Sequence, residues 1–228
     1  MATNNQEERD ESHMVEVEGV HISLTTESLV ESTSEDAKLG SGSFADVYKH
    51  ICPVTNKIIA LKRLKNATTK SSRPIAKELL REISVHGDLD HENILKFFGH
   101  VKDSKVGIYL VIQFADKGSL SDLMENGKLE RSKMLIYIEQ ILQGLTYLHN
   151  YTSKLGQKQP IAHRDLRCHN VLMMADGILK IADFGLCKRL VEMAEASGIS
   201  SRRGNSYWVG PELVDKKRRR GNTFAVRT

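Results

Sequence analysis

The chain has 228 residues, of which 40% are apolar and 27% are charged, and it carries a formal net charge of +4. This composition is ordinary for a soluble globular protein, and the length allows one large domain or two small lobes. The chain lacks an apolar run of about 20 residues, which predicts no membrane-spanning segment. The three cysteines are far apart and show neither metal-ligand nor disulfide spacing, which favours a reducing, cytoplasmic location: Cys52, Cys168 and Cys187.

The two ends of the chain have opposite charge. Residues 1–33 are polar and acidic, with Arg9 as the one basic residue before Lys38, and we expect them to be disordered apart from a short strand at residues 21–24. Residues 215–228 include a basic run at residues 216–220 and predict a disordered tail. Because no aromatic residues lie between these charges, we expect no nucleic-acid binding. The run also matches a nuclear localisation signal, which is the alternative to a cytoplasmic location.

Residues 34–115 predict a small sheet with one helix. Apolar β-formers on both sides of the turn at residues 53–56 predict strands. A helix is expected to start near Ser72 and Pro74, because Ile75, Leu79 and Ile83 recur at helical spacing. The predicted strands are residues 44–48, 58–64, 95–101 and 108–114.

Residues 116–214 begin with a predicted helix. Its apolar positions are three and four residues apart, which predicts a stripe that faces the core: Met134, Ile138, Ile141, Leu142, Leu145 and Leu148. Asn150 is expected to end the helix, and the polar segment 152–160 predicts a loop. Short apolar strands at residues 171–174 and 178–181 flank Asp176 and Gly177, a strong hairpin signal.

Two motifs in the first part of the chain are candidates for phosphate binding. Gly40 and Gly42 lie in a predicted turn between strands, where glycine lets backbone amides approach phosphate oxygens, and Ala45 stands where a third glycine is usual. Lys62 lies in an apolar strand, where an ammonium group is costly unless it is paired or faces solvent. Glu82 on the following helix is a suitable partner, and Glu78 one turn earlier is the alternative.

Two motifs in the second part supply acidic and amide side chains. In IAHRDLRCHNVL, the carboxylate of Asp165 is a candidate acceptor of a hydroxyl proton, and the amide oxygen of Asn170 is a candidate ligand of Mg²⁺. Thirteen residues later, Asp183 supplies a second hard oxygen, which suits this cation. Each motif alone is weak evidence, but their order and their places on the predicted elements make coincidence a poor explanation.

Together, the motifs resemble those of a eukaryotic-type protein kinase catalytic domain over residues 37–212. The loop that precedes His163 is similar to that of the tyrosine-kinase-like group of Ser/Thr kinases. The resemblance implies an α+β, two-lobed protein-kinase-like fold. A small antiparallel sheet lobe with one helix and the hinge would span residues 34–115, and an incomplete helical lobe would span residues 116–214.

The resemblance also implies roles for individual residues. Lys62 would bind the α- and β-phosphates of ATP with Glu82 as its partner, Asp165 would accept the substrate proton, and Arg167 would keep a cation near the γ-phosphate. Asn170 and Asp183 would hold Mg²⁺. The other ATP-binding residues implied are Leu39, Gly40, Gly42, Val47, Ala60, the gatekeeper Ile112, the hinge residues Gln113 and Ala115, and Leu172.

The implied function is transfer of the γ-phosphate of ATP to Ser or Thr hydroxyls of a protein substrate. The segment GNSYWVGPE, residues 204–212, resembles the Ser/Thr pattern, whereas Arg167 also occurs in some tyrosine kinases, so a Tyr-directed or dual-specificity kinase stays an alternative. We expect the chain to be truncated after Glu212, because residues 213–228 show no further helical stripe, and to have little phosphotransfer activity. The other alternative is a pseudokinase-like scaffold or decoy that binds a regulatory protein partner.

Overall fold

The computed structural model describes residues 12–42, 45–65, 83–127 and 130–189. The chain divides into two compact units, of which the first comprises residues 1–90 and 95–114 and the second comprises residues 91–94 and 115–228. No helix within the described ranges combines the length and the apolar character that a membrane span needs. The predicted basic tail at residues 215–228 and residues 190–214 of the predicted helical lobe lie outside the described residues.

The first unit is built on a five-stranded antiparallel sheet with the strand order β3-β4-β5-β7-β6. The four predicted strands of this part are confirmed, with ends moved by at most three residues, and the strand on the other side of the glycine turn is β3. Residues 83–86 are helical, while the rest of the predicted helix lies outside the described residues. The strands are β3 (Lys38–Ser41), β4 (Ala45–Ile51), β5 (Ile58–Leu64), β6 (Phe97–Asp103) and β7 (Gly107–Gln113).

The segment before this sheet is ordered from residue 12 on, so the predicted strand at residues 21–24 is confirmed and the prediction of disorder is wrong for the rest of residues 12–33. Strands β1 (Ser12–Val17) and β2 (Val20–Thr25) form an antiparallel hairpin, and helix α1 (Thr26–Ser32) follows. Glu18 and Gly19 both have positive φ, as a tight two-residue hairpin turn requires. Thr25 starts α1, because its side chain accepts a hydrogen bond from the backbone of Ser28 in a capping box.

The hairpin packs against one face of the five-stranded sheet. Val15, Val17, Ile22 and Leu24 alternate with polar residues, so all four apolar side chains lie on one face and are buried. Asp103 adds a polar contact, since its carboxylate accepts a hydrogen bond of 2.6 Å from the Thr26 hydroxyl. The buried residues of this cluster are Val15, Val17, Ile22, Leu24, Leu29, Cys52, Ile59, Leu61, Val101, Tyr109 and Val111.

The opposite face of the sheet belongs to a separate apolar cluster. Leu110 is fully buried there with Ala45 and Leu64, whereas its neighbours Tyr109 and Val111 face the hairpin. Successive side chains of a strand point to opposite faces, so a run of three buried apolar residues means that both faces of β7 are covered.

The second unit contains the predicted long helix and the predicted hairpin. The helix α3 (Arg131–His149) ends at Asn150, and strands β9 (Val171–Met173) and β10 (Leu179–Ile181) form the hairpin, so both predictions are confirmed. Gly177 has a φ of 87° in the turn. The other elements of this unit are α2 (Leu120–Glu125), β8 (Ile161–Ala162) and β11 (Lys188–Arg189), with β8 and β11 paired antiparallel.

The apolar stripe of α3 is only partly buried, which corrects the prediction that it faces the core. Leu148 is fully buried, but Met134, Ile138 and Leu142 are 43%, 50% and 51% exposed. The reason is the orientation of the helix. A Cβ at Gly144 would lie 2.9 Å from the Ile181 side chain, so the line through Gly144 and Leu148 is the one that meets the β9–β10 hairpin.

Substitution of Leu24 by Ala tests how far the hairpin stabilises the first unit. Leu24 is fully buried, so we expect Leu24→Ala to lower the free energy of unfolding by about 2–5 kcal/mol, as for other buried leucines. Met14 lies on the outer side of the same hairpin and is 63% exposed, so Met14→Ala should change stability by less than about 0.5 kcal/mol. Urea unfolding of the full chain measures both, and equal effects of the two variants would contradict this packing.

Candidate active site

The first unit places Lys62 in the centre of its sheet. Lys62 on β5 is paired in register with Val47 on β4 and with Leu110 on β7, and Ala60 is paired with Ile112. Paired residues of antiparallel strands, and residues two apart on one strand, share a face of the sheet. Val47, Ala60, Lys62 and Ile112 therefore lie on the same face as Leu110, which is the face away from the β1–β2 hairpin.

The glycine turn borders this face at the sheet edge. Gly40 on β3 is paired with Val47, and the Gly42 amide donates a hydrogen bond of 2.8 Å to the Ala45 carbonyl, which closes the turn. Leu39, also on β3, is 49% exposed. Gln113 ends β7, and its amide donates to the Lys96 carbonyl. The predicted partner of Lys62, Glu82, lies outside the described residues.

The second unit brings Asp165 and Asn170 into direct contact. The Asn170 amide nitrogen donates hydrogen bonds of 2.8 Å to the Asp165 carbonyl and 2.9 Å to Asp165 Oδ2. Arg167 Nε lies 3.5 Å from the same carboxylate oxygen. The loop between β8 and β9 thus gathers three of the predicted residues, because the short turn Cys168–Asn170 folds the chain back toward Asp165.

His163 holds this loop in place through hydrogen bonds. Its ring is 3% exposed, accepts a hydrogen bond from the Asp165 amide at Nδ1 (3.3 Å) and donates to the Ala182 carbonyl from Nε2 (3.0 Å). The Phe184 ring packs edge-on against it with a centroid distance of 5.2 Å, and the Cys187 thiol donates to the His163 carbonyl. Burial lowers the pKa of His163 below its ordinary value, against the opposing effect of the Ala182 contact and the Asp183 and Asp165 carboxylates.

Asp183 follows the end of β10, next to the loop that carries Asn170. The Ala182 amide donates a hydrogen bond of 2.8 Å to the Asn170 carbonyl, so the residue before Asp183 is bonded directly to Asn170. Asp183 has a φ of 66° and Arg164 a φ of 69°, both in the left-handed region that costs non-glycine residues energy. Such backbone positions persist where surrounding contacts enforce them, as the His163 and Asn170 hydrogen bonds do here.

The side chains of Asn170 and Asp183 fit the chemistry of a magnesium site. Because the Asn170 amide nitrogen is directed to Asp165, its oxygen is the end that can serve as a ligand. Mg²⁺ is usually held by one or two protein oxygens together with waters and substrate phosphates, so a cage of protein ligands is not needed. Within the described residues, no group of three or more His, Cys, Asp or Glu side chains could hold a metal ion.

The remaining predicted residues of the second unit are Ala115 and Leu172. Leu172 lies on β9, half-buried, paired with Lys180 and bridged to Ser119. The sequence analysis missed Lys65, whose ammonium contacts the glycine turn. The available signal was its position three residues after Lys62, at the end of a predicted strand that neighbours this turn.

Comparison with known proteins shows that most of the chain is similar to protein kinases. The protein kinase domain family matches residues 33–226. "Mitogen-activated protein kinase kinase kinase 1a" of Physcomitrium patens is 34% identical over 180 residues, which cover 78% of this chain and 22% of that protein. "Serine/threonine-protein kinase TNNI3K" of Homo sapiens is 36% identical over 177 residues, which cover 77% of this chain and 20% of that protein. The chain thus spans less than a quarter of the length of these relatives, and the β1–β2 hairpin precedes the matched region.

The buried His163 predicts a loss of stability in acid. Folding lowers the pKa of His163, so near pH 6.5 the unfolded chain binds a proton that the folded chain does not bind. The free energy of unfolding therefore falls as the pH drops below that value. The contribution of one such proton is at most about 1.4 kcal/mol per pH unit. Replacement of His163 by Phe should therefore make the dependence of unfolding free energy on pH shallower between pH 7.5 and 5.

Urea unfolding at several pH values measures this dependence. The matched control is His100→Phe, which changes an exposed histidine in the first unit and should leave the slope as in the unmodified chain. An identical slope for His163→Phe and the unmodified chain would show that protonation of this ring does not limit stability.

Proposed function

The chain belongs to the protein kinase domain family, and on this basis we propose that it transfers the γ-phosphate of ATP to Ser or Thr hydroxyls of proteins. The observation that carries the proposal is the contact between Asn170 and Asp165. One amide holds a carboxylate that could accept a hydroxyl proton, and the same amide offers its oxygen to a cation. Phosphoryl transfer needs this combination of positioning and charge neutralisation more than it needs covalent catalysis.

Asp165 acts as the proton acceptor in this proposal. Its side chain is 10% exposed, and Asn170 holds Oδ2, so the carboxylate is fixed in direction before a substrate arrives. General-base catalysis needs the base within hydrogen-bond distance of the hydroxyl, and a fixed carboxylate loses less entropy when this contact forms. Arg167 beside it supplies a permanent cation for the transferred phosphate.

In this proposal, the nucleotide-binding residues of the first unit are Lys62, Val47, Ala60 and Ile112. Their common face offers apolar side chains to an adenine ring and one ammonium group to phosphates. Protein kinases generally use ATP and Mg²⁺, and Mg²⁺ bound at Asn170 and Asp183 would neutralise charge on the phosphates. Leu39, Gly40, Gly42, Gln113, Ala115 and Leu172 complete the proposed set.

The choice of Ser and Thr over Tyr rests on the relatives. One matched protein is named as a serine/threonine-protein kinase and others as mitogen-activated protein kinase kinase kinases. A Tyr-directed or dual-specificity kinase is the second candidate, because Arg167 is compatible with it. The third is a scaffold or decoy that binds a regulatory protein without turnover.

We also propose a reducing, cytoplasmic location, which agrees with three free thiols at Cys52, Cys168 and Cys187.

Replacement of Asp165 by Asn separates these candidates. Removal of the proton acceptor at nearly constant shape should lower phosphate transfer by about 10²–10⁴-fold while nucleotide binding persists. The measurement is transfer of labelled phosphate from ATP to mixed peptides with Ser, Thr or Tyr acceptors by the full chain. Asp176→Asn is the matched control, since Asp176 is an exposed aspartate in the β9–β10 turn and should leave the rate unchanged.

Three results would count against the proposal. Labelling of Tyr peptides alone would favour the Tyr-directed alternative. Nucleotide binding without transfer by the unmodified chain would favour the scaffold. A rate that Asp165→Asn and Lys62→Met leave unchanged would mean that the activity comes from a contaminating kinase.

A further inference from the structure

The ammonium group of Lys65 contacts three oxygens around the glycine turn. Lys65 directly follows β5, and its Nζ donates hydrogen bonds of 2.9 Å to Ser41 Oγ and 2.8 Å to the Gly42 carbonyl. It also forms an ion pair of 3.1 Å with Asp46 Oδ1. A lysine ammonium has three N–H donors and no acceptor, so two of its donors make these hydrogen bonds while the ion pair with Asp46 adds a charge contact.

The strand register explains why the end of β5 reaches this turn. Leu64 is paired with Ala45 at the start of β4, and Asp46 is paired with Ser41 at the end of β3. The residue after Leu64 therefore lies beside the first residues of β4 and within side-chain reach of the last residues of β3. Lys65 thus connects the end of β5 to the end of β3, across β4, which lies between them.

The strand that leads into the turn is short and exposed. β3 is a four-residue edge strand whose last three residues are exposed, and its pairing with β4 is irregular between Lys38 and Gly40. Glycine contributes no side chain to packing and leaves the backbone more freedom than other residues do. The Gly42–Ala45 backbone hydrogen bond and the Lys65 contacts add to the β3–β4 pairing and the Ser41–Asp46 hydrogen bond in restraining the turn.

The charge on Asp46 strengthens the restraint. A hydrogen bond from Ser41, followed by the contacts with Lys65, lowers the pKa of Asp46, so its carboxylate is ionised at neutral pH. The side chains of Lys65 and Asp46 are 36% and 16% exposed, so solvent weakens the ion pair only in part. Ser41 and Lys65 therefore share one anionic partner that belongs to the neighbouring strand.

We propose that Lys65 is a positioning residue that fixes residues 40–42 in the conformation that receives the phosphates of ATP. The nucleotide part of this inference rests on the proposed function. Lys65 acts through the backbone of the turn and not by contact with the phosphates, because its ammonium group already contacts Ser41, Gly42 and Asp46. Loss of Lys65 should weaken nucleotide binding while the chemical step proceeds as before.

Amide hydrogen exchange of the full chain without nucleotide tests the restraint itself. In Lys65→Met, the amides of residues 39–42 should exchange roughly three- to tenfold faster, as expected when hydrogen bonds of modest strength are lost. Ser41→Ala, at an exposed position, should give a smaller increase in the same peptides and covers the case in which Lys65→Met folds poorly. Lys57→Met is the matched control, because Lys57 immediately precedes β5 at its other end and pairs with Glu18 at 2.9 Å.

Nucleotide titration and kinetics test the consequence. The Kd for a fluorescent ATP analogue with Mg²⁺, and the KM for ATP, should rise by roughly three- to tenfold in Lys65→Met, with kcat within about twofold of the unmodified chain. Lys57→Met should leave all three values unchanged.

The outcomes separate this inference from the proposed function. Unchanged exchange in both Lys65→Met and Ser41→Ala overturns the inference, whatever happens to nucleotide binding. Weaker nucleotide binding with unchanged exchange also overturns it, since Lys65 would then contact the phosphates directly. Faster exchange in a chain that binds no nucleotide even when unmodified supports the restraint and refutes the proposed function.

Discussion

The second unit depends on the hydrogen bonds that the neutral, buried imidazole of His163 makes. One ring nitrogen accepts the Asp165 amide and the other donates to Ala182, so a single side chain connects the segments that carry Asp165 and Asp183. A protonated ring could not accept at Nδ1, and burial keeps the ring neutral. Asn170 closes the network, because it bonds to Asp165 through its side chain and to Ala182 through its backbone. The acidic residues thus occupy fixed positions before any ligand binds.

The two faces of the sheet in the first unit carry different sets of residues. The β1–β2 hairpin and α1 cover one face with apolar side chains, and this burial supports the middle strands. The other face carries Lys62 together with Val47, Ala60 and Ile112. A lysine in the centre of a sheet is costly on a face that is closed by apolar residues. The hairpin covers the opposite face, whereas this face combines the apolar cluster around Leu110 with the ammonium group of Lys62.

Local signals in the sequence predicted most of the elements. The strands of the first unit, the end of α3 at Asn150 and the β9–β10 hairpin follow from periodicity and turn residues, which depend on near neighbours. Strand β2 was predicted at residues 21–24, but its partner β1 was missed because the average composition of residues 1–33 is polar, although Val15 and Val17 alternate with polar residues. The exposed side of α3 was missed because periodicity gives the spacing of a stripe and not which of its lines meets a partner. The functional roles of the motif residues stay predictions, and the hydrogen bond from the Asn170 side chain and the Lys65 contacts depend on distances that a sequence does not contain.

The position of the hairpin affects where this domain should be considered to begin. The family match starts at residue 33, whereas the packed first unit includes β1 from Ser12 onward. A protein shortened to the matched region would expose Ile59, Leu61, Tyr109 and Val111 on one flat side of the sheet. Contiguous apolar surface of this kind drives self-association in water. Similarity to a family therefore marks the shared part of the fold, while the smallest soluble piece of this chain is set by what covers its sheet.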